Sequence, residues 1–138
     1  MIIQYINSTE LLASFLKDAG NSLKTFRYFE KRNLNVIKNH IVTCLGIDSD
    51  LPIAYGHLDK DDNDKIWLGI CVKWTERGKG YGKQMMDWLI KYIKINKLRE
   101  IYLAVDTNNL QAIKMYKKYN FSFIKTEKNI EYYILRIT

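Results

Sequence analysis

The segment from Ile66 to Val105 constrains the fold of this chain more than any other. It opens on the apolar run "IWLGICV", turns through "KWTERGKGYG", continues as "KQMMDWLIKYI" and closes on "IYLAV". Met85, Met86, Leu89, Ile90 and Ile93 recur at helical spacing, so the middle is a helix with one buried face. The runs on either side are short, apolar and bounded by polar or glycine-rich stretches, as strands are. A strand, a crossover helix and a second strand in one sheet make the two strands parallel and the connection right-handed. The chain is therefore expected to form a mixed α/β sheet with helices on its faces.

The flanking segments extend that sheet. Ile2 to Ile6 reads as an edge strand. "NSTELLASFLKDAG" reads as a helix, with Ser8 or Thr9 as cap, Leu11, Leu12, Phe15 and Leu16 as its apolar stripe, and Gly20 closing it. "NSLKTFRYFEKRNLNVIKN" suggests one or two short helices with an aromatic loop. "HIVTCLGID" and "LPIAYGHLD" are strands, and the second forms an antiparallel hairpin with "IWLGICV" across the polar tip "KDDNDK". "NNLQAIKMYKKYN" is a helix capped by Thr107 or Asn108. "FSFIKTE" and "EYYILRIT" form a closing hairpin across "KNI". No repeat, low-complexity tract or linker interrupts the pattern, and 138 residues fit one domain spanning 1–138.

The formal net charge is +7, which favours an acidic ligand. The lysines are scattered, with no block of like charge, which argues against a nucleic-acid surface. Two cysteines, Cys44 and Cys71, sit in apolar strands and lack the spacing of a metal site; no metal is expected. No basic leader or membrane-length apolar run is present, so a soluble cytoplasmic protein is expected.

The glycine-rich turn is the strongest chemical signal. Gly78, Gly80 and Gly82 alternate with Lys79 and Tyr81 between a strand and a helix. Glycines let successive N–H groups converge on an anion, and the helix start adds free N–H groups and the positive end of its dipole. Arg77, Lys79 and Lys83 add positive charge. The Walker spacing fails because Lys83 occupies the sixth position from Gly78. The dinucleotide spacing fails because Lys83 and Met85 stand where a glycine is required. What remains is R-x-x-G-x-G, formed by Arg77, Gly80 and Gly82, after a strand and before a helix.

"ICVKWTERGKGYGKQMMDWLI" resembles the signature segment of the GNAT (Gcn5-related) N-acetyltransferases, with Val72 five residues before Arg77. "VDTNNLQAIKMYKKYNF" is similar to a second segment of that family, N-x-x-A-x-x-x-Y-x-x-x-G-F, through Asn109, Ala112, Tyr116 and Phe121. Asn120 replaces the usual glycine, a mild change because asparagine tolerates the left-handed conformation. The resemblance implies the GNAT acyl-CoA fold: a twisted, mostly antiparallel sheet with one splayed parallel pair. It implies that the cosubstrate is acetyl-CoA. It assigns cofactor contacts to Ile70, Cys71, Val72, Asn109, Tyr116 and the turn Arg77, Gly78, Lys79, Gly80, Tyr81, Gly82 and Lys83.

On this reading the chain is an acetyl-CoA-dependent N-acetyltransferase acting by direct attack of an amine on the thioester. Backbone N–H groups near Ile70 to Val72 polarise the carbonyl. Tyr116, two helical turns after Asn109, protonates the departing thiolate. His57 is the expected base, with Asp59 orienting its ring or facing solvent. Arg27, Tyr28 and Phe29, together with His57, form the expected acceptor site, and an aromatic–arginine set suits an amino-sugar, nucleotide-linked or not. The acids from Asp59 to Asp64 are expected to be solvated at the hairpin tip, which disfavours a polyamine. Two rival classes are a silent acyl-CoA sensor and, less favoured, a basic nucleic-acid-binding module. The protein is expected to be a monomer, or a homodimer paired through its C-terminal hairpin.

Overall fold

The structure is a computed structural model describing residues 1–138. Seven strands form one sheet in the order β1-β2-β3-β4-β5-β7-β6. They are β1 (Ile2–Tyr5), β2 (Val42–Asp48), β3 (Leu51–Lys60), β4 (Ile66–Val72), β5 (Glu100–Asp106), β6 (Ser122–Glu127) and β7 (Ile130–Arg136). All neighbours are antiparallel except β4 and β5, the pair expected to be parallel.

Helices cover both faces. On one lie α1 (Thr9–Asp18) and two short 3-10 helices, Gly20–Lys24 and Leu34–Asn39. Ser8 caps α1 by accepting the Glu10 N–H. Leu12, Phe15, Ala19 and Ile37 pack there against Leu45, Tyr55 and Cys71. The other face carries α2 (Tyr81–Ile95) and α3 (Leu110–Lys118) over the larger core, including Leu58, Leu68, Leu103 and Tyr133. α2 approaches β3 closely because Gly56 has no side chain: a Cβ there would stand 3.1 Å from Met85 and 3.2 Å from Leu89. Leu89 is fully buried at that contact. Leu89→Ala is expected to lower the unfolding free energy by about 2–5 kcal/mol, measured by urea denaturation.

Two local expectations need correction. The cap of α3 is Asn109, not Thr107 or Asn108: its side chain accepts the Ala112 N–H at 3.3 Å. The Asn109 N–H bonds the Asp106 carbonyl, so residues 106–109 form a turn that delays the helix. The last hairpin turns at Lys128 and Asn129, both left-handed (φ 51° and 66°), and Ile130 already pairs with Glu127 in the strand. Asn120 does adopt the left-handed conformation, with φ 72°. No helix is long and apolar enough to cross a membrane.

Candidate active site

β4 and β5 pair over two rungs only, Ile66–Ile101 and Trp67–Tyr102, and then part. The ladder on the other side of β4 shows which groups this frees. Lys73 N–H donates to the Ile53 carbonyl at 2.8 Å, in register with the β3–β4 pairs. Antiparallel bonding alternates, so Gly69 and Cys71 bond to β3, while Leu68, Ile70 and Val72 turn their N–H and C=O groups toward the gap. The Val72 carbonyl accepts from Ser22 Oγ at 2.6 Å. Of the backbone contacts expected on this strand, Ile70 is thus open, and Val72 is open at its N–H only. The Cys71 amide belongs to the ladder, and its thiol is buried, with a pKa pushed up to about 12.

The gap opens a cleft of about 440 Å³. Its lining includes His57, Asp59, Asp61, Gly69, Ile70 and Tyr116, with Arg27 and Asp106 at the rim. Tyr116, in α3, is 7% exposed. Its hydroxyl has no partner in the protein, yet no sealed polar side-chain atom is left unbonded, so that hydroxyl faces the cleft. Burial, then the nearby Cys71, raises its pKa well above that of free tyrosine and keeps it a proton donor. Asn109 also lines the cleft. Tyr119 points elsewhere and bonds Asp87 and the Lys83 carbonyl.

Past Val72, β4 runs into the glycine turn. Gly78 and Gly80 have φ of 76° and 85°, conformations that side chains disfavour. A Cβ at either would meet nothing within 4 Å, so both face open space. Gly80 is the N-cap of α2, and no side chain caps that terminus. The Tyr81, Gly82 and Lys83 N–H groups there are those a helix leaves without intrahelical partners. Arg77 stacks on Trp74, 3.0 Å from its ring centroid, while Lys79 pairs with Glu76 and Lys83 with Asp87. These ion pairs are exposed, and each is weak enough to yield to a stronger anion.

The opposite wall, which includes Phe26, Tyr28 and His57, belongs to an aromatic cluster. Phe26, Tyr28, Phe29, Tyr55, His40 and His57 pack edge to face or tilted. Tyr28 Oη bonds Asp59 Oδ2 at 2.6 Å and His40 Nε2 at 2.7 Å. Burial, then the Asp59 bond, pushes the Tyr28 phenol far up. His57 is buried, and its Nδ1 bonds Tyr55 Oη at 2.7 Å. Asp59 therefore does not orient His57, as the shared strand face suggested; the Tyr28 hydroxyl reaches across from the loop and takes it.

Two other expectations change. The acids at the hairpin are not all solvated: β3 continues to Lys60 and carries Asp59 along the cleft, and Asp61, the first residue of the turn that follows, also lines it. Asp61 accepts from the Trp67 indole at 2.8 Å and from the Asn63 and Lys65 N–H groups, and the indole bond foremost holds its carboxyl below the usual range. Arg27, expected to clamp an acceptor phosphate, instead grips Asp106 with two bonds of 2.7 and 2.8 Å. Phe29 packs on Tyr28 and Tyr55 and does not line the cleft. Trp67, Gly69 and Asp106 carried no motif, although the alternation of β4 places Trp67 and Gly69 on one face.

The family model described as acetyltransferase (GNAT) family matches residues 9–121. The chain belongs to the GNAT acetyltransferase family. Among curated proteins, this GNAT chain is 35% identical over 68 residues to a spermine/spermidine N(1)-acetyltransferase of Bacillus subtilis strain 168. That match covers 47% of this chain and 45% of the relative, so the two correspond over about half their lengths. The GNAT domain of S. lividans PAT superposes with a TM-score of 0.83 at 14% identity, covering 98% of this chain and 89% of that one. The PaiA N-acetyltransferase of Thermoplasma acidophilum, solved with coenzyme A, gives 0.75 at 18% identity over 99% and 100%. At such identities these structures share the GNAT fold with this chain.

Proposed function

We propose that this protein transfers the acetyl group of acetyl-CoA to a primary amine of a small polycation. The observation that carries the reading is the parting of β4 from β5 after two rungs, beside a glycine turn at a helix start and beneath a partnerless tyrosine hydroxyl. The pyrophosphate would lie in the turn from Arg77 to Lys83, on the N–H groups of α2. The pantetheine arm would bond the open edge at Ile70 and Val72 as an added strand. An N–H of that edge would polarise the thioester carbonyl, and Tyr116 would protonate the departing thiolate.

Charge supports the polycation over the amino-sugar. Arg27 neutralises Asp106, and its fork is occupied. Arg32 is drawn onto the Tyr28 ring, 4.1 Å from its centroid. Asp59 and Asp61 are bonded by a phenol, an indole and backbone N–H groups, and neither forms an ion pair. The cleft lining therefore has three carboxylates against the two guanidinium groups of Arg27 and Arg32, an excess of one negative charge, with Asp59 and Asp61 unpaired, which suits an ammonium-bearing chain. The curated relative is named for spermine and spermidine, and this agrees. Asp59 would take the attacking amine's proton through water.

A thiol-release assay with acetyl-CoA tests the reading across spermidine, glucosamine and a lysine peptide. Spermidine is expected to give the highest kcat/KM; absence of CoA release with all three would overturn it. Asp59→Asn preserves the acceptor atom for Tyr28 but removes the charge. It is expected to raise KM for spermidine about tenfold and, with the proton acceptor gone, to lower kcat about 100-fold or more, with acetyl-CoA affinity unchanged.

A further inference from the structure

His40 packs against His57 of the cleft wall, with ring centroids 4.7 Å apart, and the protons on both rings can be counted. Asp59 as a carboxylate only accepts, so the single Tyr28 proton goes to it. The Tyr28 oxygen must then accept from His40 Nε2–H at 2.7 Å. In the neutral ring, His40 Nδ1 is left as an acceptor, and Thr43 Oγ1 donates to it at 2.9 Å.

The second ring follows the same logic. Tyr55 is fully buried, and its hydroxyl has one partner, His57 Nδ1. Were the phenol to accept there, its own proton would be buried without a partner, at the full desolvation penalty of that group. Tyr55 therefore donates, Nδ1 accepts, and the ring proton sits on Nε2. No protein atom bonds His57 Nε2, and no sealed side-chain nitrogen or oxygen lacks a partner, so Nε2 opens on the cleft that His57 lines. The ring reaches this position over Gly69, where a Cβ would stand 2.6 Å from both Nε2 and Cε1. Gly69 precedes Ile70, whose backbone is open to the gap.

We infer that His57 is a neutral Nε2–H donor at the reacting end of the cleft, locked in that tautomer by Tyr55, and that it grips an oxygen lone pair instead of taking the amine's proton. What fills the cleft rests on the acetyl-transfer reading; the tautomer does not. On that reading the oxygen is the thioester carbonyl's, because a polyamine acceptor carries none. Burial foremost, then His40 and Arg32, holds the His57 pKa well below that of free histidine. The groups facing the ring are Tyr55 and Asp59 from its own strand, Tyr28 and Arg32 from the loop, and His40 after the second 3-10 helix. A second ring proton would have to sit on Nδ1, against the Tyr55 O–H.

The chain has two histidines, so ¹⁵N imidazole correlation spectra of the intact protein resolve the question directly. Both rings are expected as neutral Nε2–H tautomers at neutral pH. A His57 ring carrying its proton on Nδ1, or cationic there, overturns the inference. Tyr55→Phe should mix the His57 tautomers and leave His40 unchanged; an unmixed His57 removes Tyr55 as the lock. In kinetics, His57→Gln keeps an N–H donor and should retain activity within about threefold, whereas loss of a general base predicts about 10²–10⁴-fold. His57→Leu should lose about tenfold. Acetyl-CoA affinity, or kcat at saturating acetyl-CoA, should fall with it; a rise in the acceptor's KM alone overturns the assignment to the thioester carbonyl. Wild-type behaviour of His57→Leu in both measurements overturns the donor role. Absence of turnover by the wild-type protein would sink the acetyl-transfer reading and leave the tautomer result standing.

Discussion

Tyr116→Phe is expected to lower kcat about 100-fold while leaving acetyl-CoA affinity nearly unchanged. The change removes one hydroxyl, and that hydroxyl has no partner in the protein. Folding therefore loses no bond, and the ring still packs against Phe121, with centroids 6.0 Å apart. On the proposed reading, ground-state binding would depend on the glycine turn and the open edge of β4, which the mutation does not touch. What disappears is the proton for the thiolate, a need that arises as the carbon–sulfur bond breaks. An interaction made only in the transition state appears in kcat and kcat/KM together. Because burial raises the Tyr116 pKa, the donor stays protonated throughout neutral pH, and the residual activity should show no new ionisation. Stopped-flow thiol release with calorimetric binding checks both halves. Wild-type kcat in this variant would remove Tyr116 from the chemistry.

The parallel pair was legible because a crossover through a helix permits one handedness, so local periodicity carried a long-range fact. The insertion of β7 between β5 and β6 was not legible. Strand order depends on pairing partners, and Ser122–Glu127 and Ile130–Arg136 read equally well in either place. The turn at Ser49 and Asp50 escaped for another reason. Both residues are left-handed, at φ 51° and 65°, without the glycine that announces such a turn.

At the site, the position of the glycine turn at the start of α2 and of Tyr116 on α3 was legible because each is tied to a fixed spacing within the chain. The acids were misread because a run of polar residues looks solvated whatever its neighbours do. Only the continuation of β3 to Lys60, and the reach of Tyr28 from another segment, draw Asp59 into the wall. Arg27 failed similarly: its partner Asp106 lies 79 residues away. The bond from Tyr55 to His57 Nδ1 was not legible either, because residue spacing carries no record of which ring nitrogen is engaged.

Gly80→Asp is expected to weaken acetyl-CoA binding about 100-fold, with a fall in Tm from backbone strain that Gly80→Asn should share. The fold should survive because a Cβ at Gly80 meets nothing within 4 Å, and aspartate is among the residues that visit the left-handed region. An aspartate N-cap at α2 even satisfies a free N–H and complements the helix dipole. That gain is the source of the damage. The carboxylate competes for the same N–H groups as the pyrophosphate and repels it; like charges 4 Å apart interact by about 4 kcal/mol at an effective dielectric constant near 20. Gly80→Asn separates charge from shape, since it caps in the same way without the charge. It should cost much less affinity than the aspartate. The gap between the two variants should narrow as salt rises, because the turn is exposed and screening reaches it. Equal affinities in the two variants would mean that the anion does not lie at this turn, and the cofactor assignment from Arg77 to Lys83 would fall with it.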